Sequence, residues 1–569
     1  MPGFLVANTP QMPQLVNYAQ ERCVRGEMRC GEWTIRWNVL NKYQDDKIFE
    51  QTDTHVIVLD GVILNKNELI RRLGGLSWVE TVQSMIRQKR TFFEDFRGAF
   101  SGAVYDKENG EWILFTDQLN MHLLLKCADK GRFAFGSQMN YLADWMRCNN
   151  IHRDMDPMWQ EDVLTYGYML DVHTALRGVE RVFPGCYFTC NANGFGVEHT
   201  YYRVTKQHRQ DMSMQKAIEL LDEAFDNAVR RVLDKDREYG YKTVVDISGG
   251  LDSRMILCSA QKQAPGQIFC INYAQSRSDD RKLAETAVHA AGVQGMFFSM
   301  DDGRCLLDVD DLVLMNQGLS YYSGITGGKQ VLESLDPSEY GAELFGILGD
   351  VYEGAMISQE LRDKPDWSAQ RFMDSLMLAG ERKYCDARRE YEDNELLWFY
   401  VRGMFAGMNT AFIRQNFCEA ITPFGDVEFM DLCFSLSEDM RVKHHVYRRW
   451  MIQKYPKMAR ISYARTGLPV MTQDRLEKLL TLFRRAYRKL YYKLCGSAPW
   501  EMNPLDNWYK SPQIGEYLRE YYCQNIDVLQ QDPDFRHRVE LLFDQGNAQE
   551  KTMALTAISA VKQYVNSGS

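Results

Sequence analysis

The chain changes its hydrophobic rhythm near residue 207. Before that point apolar runs are short and broken by turn signals. HVIVLDGVIL (55–64), GAVYDKENGEWILFTD (102–117) and GCYFTCNANGFGVEHTYY (185–202) read as strands or hairpins. Within the second, Asn109-Gly110 predicts a two-residue hairpin turn, since both residue types tolerate positive φ. A polar stretch, VTKQHRQDMS (204–213), closes this half. Then Ile218, Leu221, Phe225, Ala228 and Val232 recur at helical intervals behind Ser213, a residue suited to cap a helix.

Short apolar runs next alternate with helical ones. TVVDIS (243–248), QIFCINYA (267–274), MFFSM (296–300) and AELFGIL (342–348) are interleaved with helix-like DSRMILCSAQKQ (252–263) and DDRKLAETAVHAAG (279–292). Such alternation predicts a parallel sheet covered on both faces. Beyond residue 370 the pattern is mostly helical. The expected fold class is α/β: an α+β domain over 1–207, then a doubly wound parallel-sheet domain with a helical C-terminal part over 213–569.

Size and charge narrow the function classes. A chain of 569 residues exceeds what one hydrophobic core usually organises. The net charge of −10 argues against a nucleic-acid grip, which needs a basic face. Fourteen cysteines without a CxxC pair read as reduced thiols. The opening MPGFLVANTPQMP has neither the basic end nor the apolar core of a signal peptide, and no run approaches a membrane span. A cytoplasmic location is the expectation.

The chemistry concentrates in DISGGLDS (246–253). In open α/β sheets ligands bind beyond the carboxyl ends of strands. Adjacent glycines let several N–H groups point into one concavity, and the following helix offers its positive N-terminus. Ser248 and Ser253 add hydroxyls. Asp252 would repel a bare polyphosphate, but suits a Mg²⁺ shared with the phosphates. The alternative is a Gly-rich structural turn. No Lys follows the glycines, so this is not a P-loop.

SGGLDS after a strand resembles the pyrophosphate loop of ATP pyrophosphatases, and the wider chain resembles the asparagine synthetase superfamily. FGILGDVYEGA matches the family's later glycine-led segment through Gly346, Gly349 and Asp350. ITPFGDVEFMDLCFSLSEDMRVKHHVYRRWMIQKYP (421–456) resembles its PFLD segment and the basic helix after it. The resemblance implies a grip on ATP by Ser248, Gly249, Gly250, Leu251, Asp252, Ser253 and Gly349. It further implies Mg²⁺ on Asp252 and Asp350, and a catalytic cation at Arg448, with Lys443 nearby. LDGVILNKNEL (59–69), FRGAFSGAVYDKENGEWILFTDQLNMHLLL (96–125) and YMLDVHTALRGVERVFPGCYFTC (168–190) resemble the family's N-terminal glutaminase domain, of Ntn-hydrolase type. Three functional positions depart from it. Pro2 stands where the family has its nucleophilic Cys, Asp60 where an Asn stabilises an oxyanion, and Trp78 where an Asp binds glutamine. A carboxylate cannot donate to an oxyanion.

The resemblance therefore implies an ATP- and Mg²⁺-dependent ligase that adenylates a carboxylate and passes it to an amine without hydrolysing glutamine. Ile347 and Val351 replace polar residues flanking the second magnesium Asp, which disfavours ammonia as the amine. β-Lactam synthetases and lasso-peptide cyclases are relatives of this kind, so small-molecule, peptide or glycan substrates are expected. Homo-oligomerisation stays open. A catalytically silent binding subunit and an ammonia-using asparagine synthetase are the alternatives; the acidic charge disfavours a tRNA-modifying enzyme. NQGLSYYSGITGG (316–328) is either part of the acceptor pocket or a structural loop. RLEKLLTLFRRAYRKLYYKL (475–494), with seven basic residues and one Glu, reads as an amphipathic helix packing its apolar stripe on the protein's own core, the alternatives being a membrane surface or an acidic partner.

Overall fold

The computed structural model describes residues 2–206, 211–324, 328–352, 354, 391, 394–496 and 498–566. Its first two hundred residues form two antiparallel sheets. One holds the strands Gly3–Ala7, Cys23–Cys30, Trp33–Leu40, Leu125–Asp129, Arg132–Gly136 and Val179–Arg181; the other is centred on His55–Ile63, Gly98–Asp106 and Glu111–Thr116. Alternation along each strand feeds two layers. Phe4 and Val6 meet Val56 and Val58 between the sheets. Leu5 and Ala7 turn outward onto the helix Met139–Cys148, through Tyr141, Leu142 and Trp145. Ile57 and Leu59 turn the other way onto Val82 and Met85 of the helix Trp78–Gln88. The result is an α-β-β-α sandwich whose strands are buried on both faces. That is why HVIVLDGVIL is a nearly unbroken apolar run.

The hairpin at Asn109-Gly110 forms with a longer connection than expected. Asp106 pairs with Glu111, so four residues make the turn, and of these Gly110 alone takes positive φ, at 65°. Asp106 stabilises the wider loop by accepting from the N–H of Glu108 and of Asn109.

The helix Met214–Tyr239 follows, capped by Ser213 on the Lys216 N–H. The second half is built on a parallel sheet in the order Gln294–Ser299, Ile268–Ala274, Lys242–Asp246, Tyr340–Leu344, Ala420–Ile421. Helices cover both faces. Val245 packs with the 214–239, 252–263 and 279–291 helices, while Val244 packs with helices 309–316, 409–414 and 548–560. The chain winds outward over the first three strands, then reverses, so strands 242–246 and 340–344 flank a topological switch point. Among the described residues from 394 to 566, the regular elements are helices apart from the short strand Ala420–Ile421. The described part of 316–328 is structural packing: Tyr322 is buried, its OH donating to Leu306 O, and Ser323 Oγ donates to Thr552. One expectation is overturned outright: the helix Asp474–Cys495 buries no residue.

Buried charge joins the two halves. Lys47 lies 3.3 Å from Asp60 and 3.1 Å from Glu419, and His122 lies 3.3 Å from Glu419, all four groups being within the core. Burial alone would push the Glu419 carboxyl up, but Lys47 and His122 outweigh it and hold it down at about 2. Burial likewise opposes the His122 imidazolium, which Glu419 nevertheless holds above its ordinary value. A depressed carboxyl contributes stability that is complete above its unfolded value and is lost as pH falls through its folded one. The window here runs from about pH 4.5 down to about pH 2. Glu419→Gln should therefore cost on the order of 3 kcal/mol near pH 6 and little at pH 2. Urea unfolding at a series of pH values checks this; a penalty that does not shrink with acid would contradict it.

Candidate functional site

The switch point is occupied by the two glycine-bearing segments singled out in the sequence. Strand 242–246 ends in Asp246, and the loop from Ile247 leads into the helix Asp252–Gln263. Strand 340–344 runs into Phe345-Gly346-Ile347-Leu348-Gly349-Asp350. The two meet at Asp252. A Cβ on Gly346 would stand 3.0 Å from both Asp252 Cβ and the Ser253 nitrogen. A Cβ on Gly349 would stand 2.7 Å from Asp252 Oδ1 and 2.9 Å from its Cβ. Only glycine lets the segments approach this closely. Between them Leu348 is buried at φ 75°, a left-handed conformation that costs a bulky residue on the order of 1–3 kcal/mol and orients the turn before Asp350.

The loop is preorganised. Ser253 Oγ accepts from the Ser248 N–H at 2.9 Å and lies 2.9 Å from Ser248 Oγ, while Ser248 Oγ accepts from the Gly250 N–H at 3.2 Å. The Gly249 N–H donates to Asp280 Oδ1 at 2.7 Å, and Asn272 holds the other Asp280 oxygen at 3.0 Å. Burial pushes the Asp280 carboxyl up, against both donors. Among the described residues the N-cap position of helix 252–263, Leu251, makes no side-chain cap, unlike Ser213, Ser278 and Asp426 before their helices. The positive end of this helix adjoins the loop, which is the arrangement a phosphate would complete.

A second wall comes from residues 441–470. Tyr447 OH donates to Asp252 Oδ1 at 3.2 Å. The Ala464 N–H donates to Gly249 O at 2.9 Å, laying the segment Ile461–Pro469 along the loop. Arg254, fully buried, fixes that segment from below by donating to the carbonyls of Met458, Ile461 and Ser462. Burial lowers this guanidinium to about 10. Arg465, exposed on the rim, donates to His444 Nε2 at 2.7 Å. Burial and Arg465 lower the His444 imidazole, with Asp350 and Asp252 acting against them, so all four groups share one electrostatic neighbourhood.

Ser248, Gly249, Gly250, Leu251, Asp252, Ser253 and Gly349 are thereby brought together, and Asp350 lies exposed at the same mouth. Lys443 is exposed beside His444, both at left-handed φ in the turn between two helices. Arg448 is engaged differently from a free cation. Its guanidinium donates to Val470 O at 2.7 Å and Thr472 O at 2.9 Å and pairs with Glu477 at 2.8 Å. Asp280, Tyr447, His444 and Arg465 escaped the sequence reading. Asp280 could have been found, because it opens the helix after the second strand, at the same sheet edge. ARTG (464–467) has no periodicity to betray it.

The glutaminase-like positions are turned inward. Asp60 Oδ1 accepts from the Gly61 N–H at 2.9 Å and pairs with Lys47, within the buried charge network. Trp78 is buried against Phe96 and donates its indole N–H to Asp46 O at 2.9 Å.

Two family models match separate parts of the chain. The asparagine synthase family model matches residues 192–317, and a glutamine amidotransferase domain model matches residues 37–144. The two matches support a place in the asparagine synthetase superfamily, with a glutamine amidotransferase-like N-terminal domain. That family carries out ATP-dependent carbon–nitrogen ligation. Two solved structures share 10% identity with the chain. Glutamine phosphoribosylpyrophosphate amidotransferase from B. subtilis, complexed with ADP and GMP, aligns over 52% of this chain and 91% of its own, with a TM-score of 0.26. An allosteric regulatory enzyme of purine biosynthesis aligns over 52% and 74%, with a TM-score of 0.23. No curated protein matches the chain. Among the described residues no helix is long and apolar enough to cross a membrane.

The Gly349–Asp252 contact gives a direct test. In Gly349→Ala the new methyl must drive the Asp252 carboxylate aside while the backbone stays in place. Calorimetric titration should show Mg·ATP binding weakened about tenfold or more, with the circular dichroism spectrum unchanged. Undiminished binding would mean that the contact does not shape the site.

Proposed function

We propose that the chain activates a carboxylate as an acyl-adenylate and transfers it to an amine, releasing AMP and pyrophosphate. Residues 1–207 are read as a degenerate glutaminase-like domain and 213–569 as the adenylating domain. The observation that carries this is the meeting of Asp252, Gly346 and Gly349 at the uncapped helix N-terminus of the switch point. Attack of a carboxylate oxygen on the α-phosphorus breaks the bond to the β-phosphate, and the charge that accumulates on pyrophosphate has to be neutralised in place. The Ser248–Ser253 loop and the first-turn N–H groups would hold that pyrophosphate.

The residues fit Mg²⁺. Asp252 and Asp350 are hard oxygen donors, and Mg²⁺ is commonly held by one or two carboxylates plus phosphates and water. When bound, the ion offsets phosphate charge. Arg465 is the rim cation best placed for the reacting phosphate, with Lys443 beside it. Arg448 is read as the residue that anchors the 470–477 segment. A guanidinium stays protonated, so its contribution is charge and orientation. Ile347 offers no polar side chain beside Asp350, which supports an amine larger than ammonia. Asp60 and Trp78, tied into the core, support the loss of glutamine hydrolysis.

A silent binding subunit is the second reading. Its support is Asp280, whose carboxylate sits on the Gly249 N–H where a phosphate oxygen would bind; adenylation requires that carboxylate to swing away.

Pyrophosphate release from Mg·ATP, assayed across a panel of carboxylates and amines, decides between them. Release should be abolished by Asp252→Asn and by Asp350→Asn. Arg465→Ala should lower turnover about a hundredfold while changing nucleotide affinity little, as expected of a contact made in the transition state, and Arg465→Lys should recover part of it. Glutamine should yield no glutamate. If Arg448→Ala is the crippled variant and Arg465→Ala is normal, the cation assignment is wrong; release by none of the panel favours the silent subunit.

A further inference from the structure

The helix Asp474–Cys495 is 22 residues long, about 33 Å, and attaches to the body by a polar edge. Arg484 donates to Ala464 O at 3.2 Å, Arg484 and Arg488 both pair with Asp279, and the Arg488 guanidinium lies 5.1 Å from the Trp500 ring centroid. On this edge Glu477 holds Arg448. The remaining circumference faces outward. Leu479, Phe483, Tyr487, Leu490 and Leu494 recur every three or four residues and so share one face, where they keep 51%, 65%, 62%, 58% and 76% of their surface exposed. Beside that stripe runs a second one, Lys478, Arg485, Lys489 and Lys493. Both sit on a chain whose net charge is −10.

We propose that this helix docks the protein on an anionic lipid surface. An exposed apolar face flanked by Lys and Arg, on a helix too polar to span a bilayer, matches what lies in the plane of a lipid interface, with apolar side chains among the acyl chains and basic ones at anionic headgroups. The local reversal of charge points the same way, since the rest of an acidic protein is repelled by such a surface. A second copy of the chain suits the face less well. Pairing two apolar stripes would add a second cationic stripe to the first, and Glu477, the one acid within 475–494, is already engaged by Arg448. Docking would have a consequence for the candidate site, because Arg484 holds Ala464, whose N–H holds Gly249. The mouth of the switch-point cleft would lie at the lipid interface. The proposal stands apart from the adenylation reading and can succeed or fail without it.

Cosedimentation of the full chain with vesicles tests it. Wild type should partition onto vesicles of phosphatidylcholine and phosphatidylglycerol in equal parts, and far less onto phosphatidylcholine alone. The triple variant Lys478→Gln, Arg485→Gln, Lys489→Gln should bind on the order of a hundredfold more weakly, at about fivefold per charge removed. Raising salt to about 0.5 M should weaken the wild type similarly. The double variant Phe483→Glu, Leu490→Glu should lose binding with an unchanged melting temperature. The proposal fails if the wild type stays in solution, or if the double variant still binds. It also fails if analytical ultracentrifugation shows a dimer that the double variant splits, which would make the partner a second copy. A fall in melting temperature in the double variant would show that the chain itself covers this face.

Discussion

The candidate site depends on one contact made possible by missing side chains. Gly346 and Gly349 bring the turn after one central strand against Asp252 at the start of the helix after its neighbour. A Cβ at Gly346 would press on the first turn of that helix, and one at Gly349 would push the Asp252 carboxylate aside. The neighbouring features follow from that approach. Leu348 takes its strained φ to complete the turn, Tyr447 reaches Asp252 from a third element, and the segment held by Arg254 closes over Gly249. Because the strand order reverses at this point, the two segments come to lie side by side at the carboxyl edge of the sheet.

The N-terminal half is bound into the same structure rather than appended to it. Its inter-sheet core is continuous with the core on one face of the parallel sheet. Lys47, paired with Asp60, reaches Glu419, one residue before the strand 420–421, and Tyr43 reaches Asp236, which also accepts from Thr243 and the Ala342 N–H. Buried charges of this kind are costly to unpair, since a lone survivor cannot be solvated. Of the three positions that depart from the glutaminase pattern, Asp60 takes part in this joint between the halves.

Much of this was legible in the sequence, and the gaps have causes. The helix DSRMILCSAQKQ and the strands around it are local patterns, as is the Ser213 cap, and all form where periodicity put them. The doubled glycines of Ser248–Gly250 marked the loop because a glycine pair between strand and helix has a narrow set of uses. Long-range pairing left weaker traces. Arg465 comes to the loop through a backbone hydrogen bond of Ala464, and Arg448 is drawn away by carbonyls more than twenty residues on; neither carries a sequence signal. Sequence position placed the cation on the basic helix, whereas the geometry brings a different guanidinium to the rim. The 475–494 helix was misjudged for another reason. Its periodicity shows that an apolar face exists, but not which side of the helix the fold uses, and here the fold uses the charged edge.

The central claim is that nucleotide phosphates bind between the Ser248–Ser253 loop and Asp350. A crystal structure of the chain with Mg²⁺ and α,β-methylene-ATP, which cannot be cleaved at the bond in question, tests this most directly. The account predicts phosphate oxygens on the Gly249 N–H and the first turn of helix 252–263, with Asp280 displaced and a metal ion between Asp252 and Asp350. Nucleotide bound elsewhere, or a loop still closed by Asp280 at saturating ligand, would contradict it.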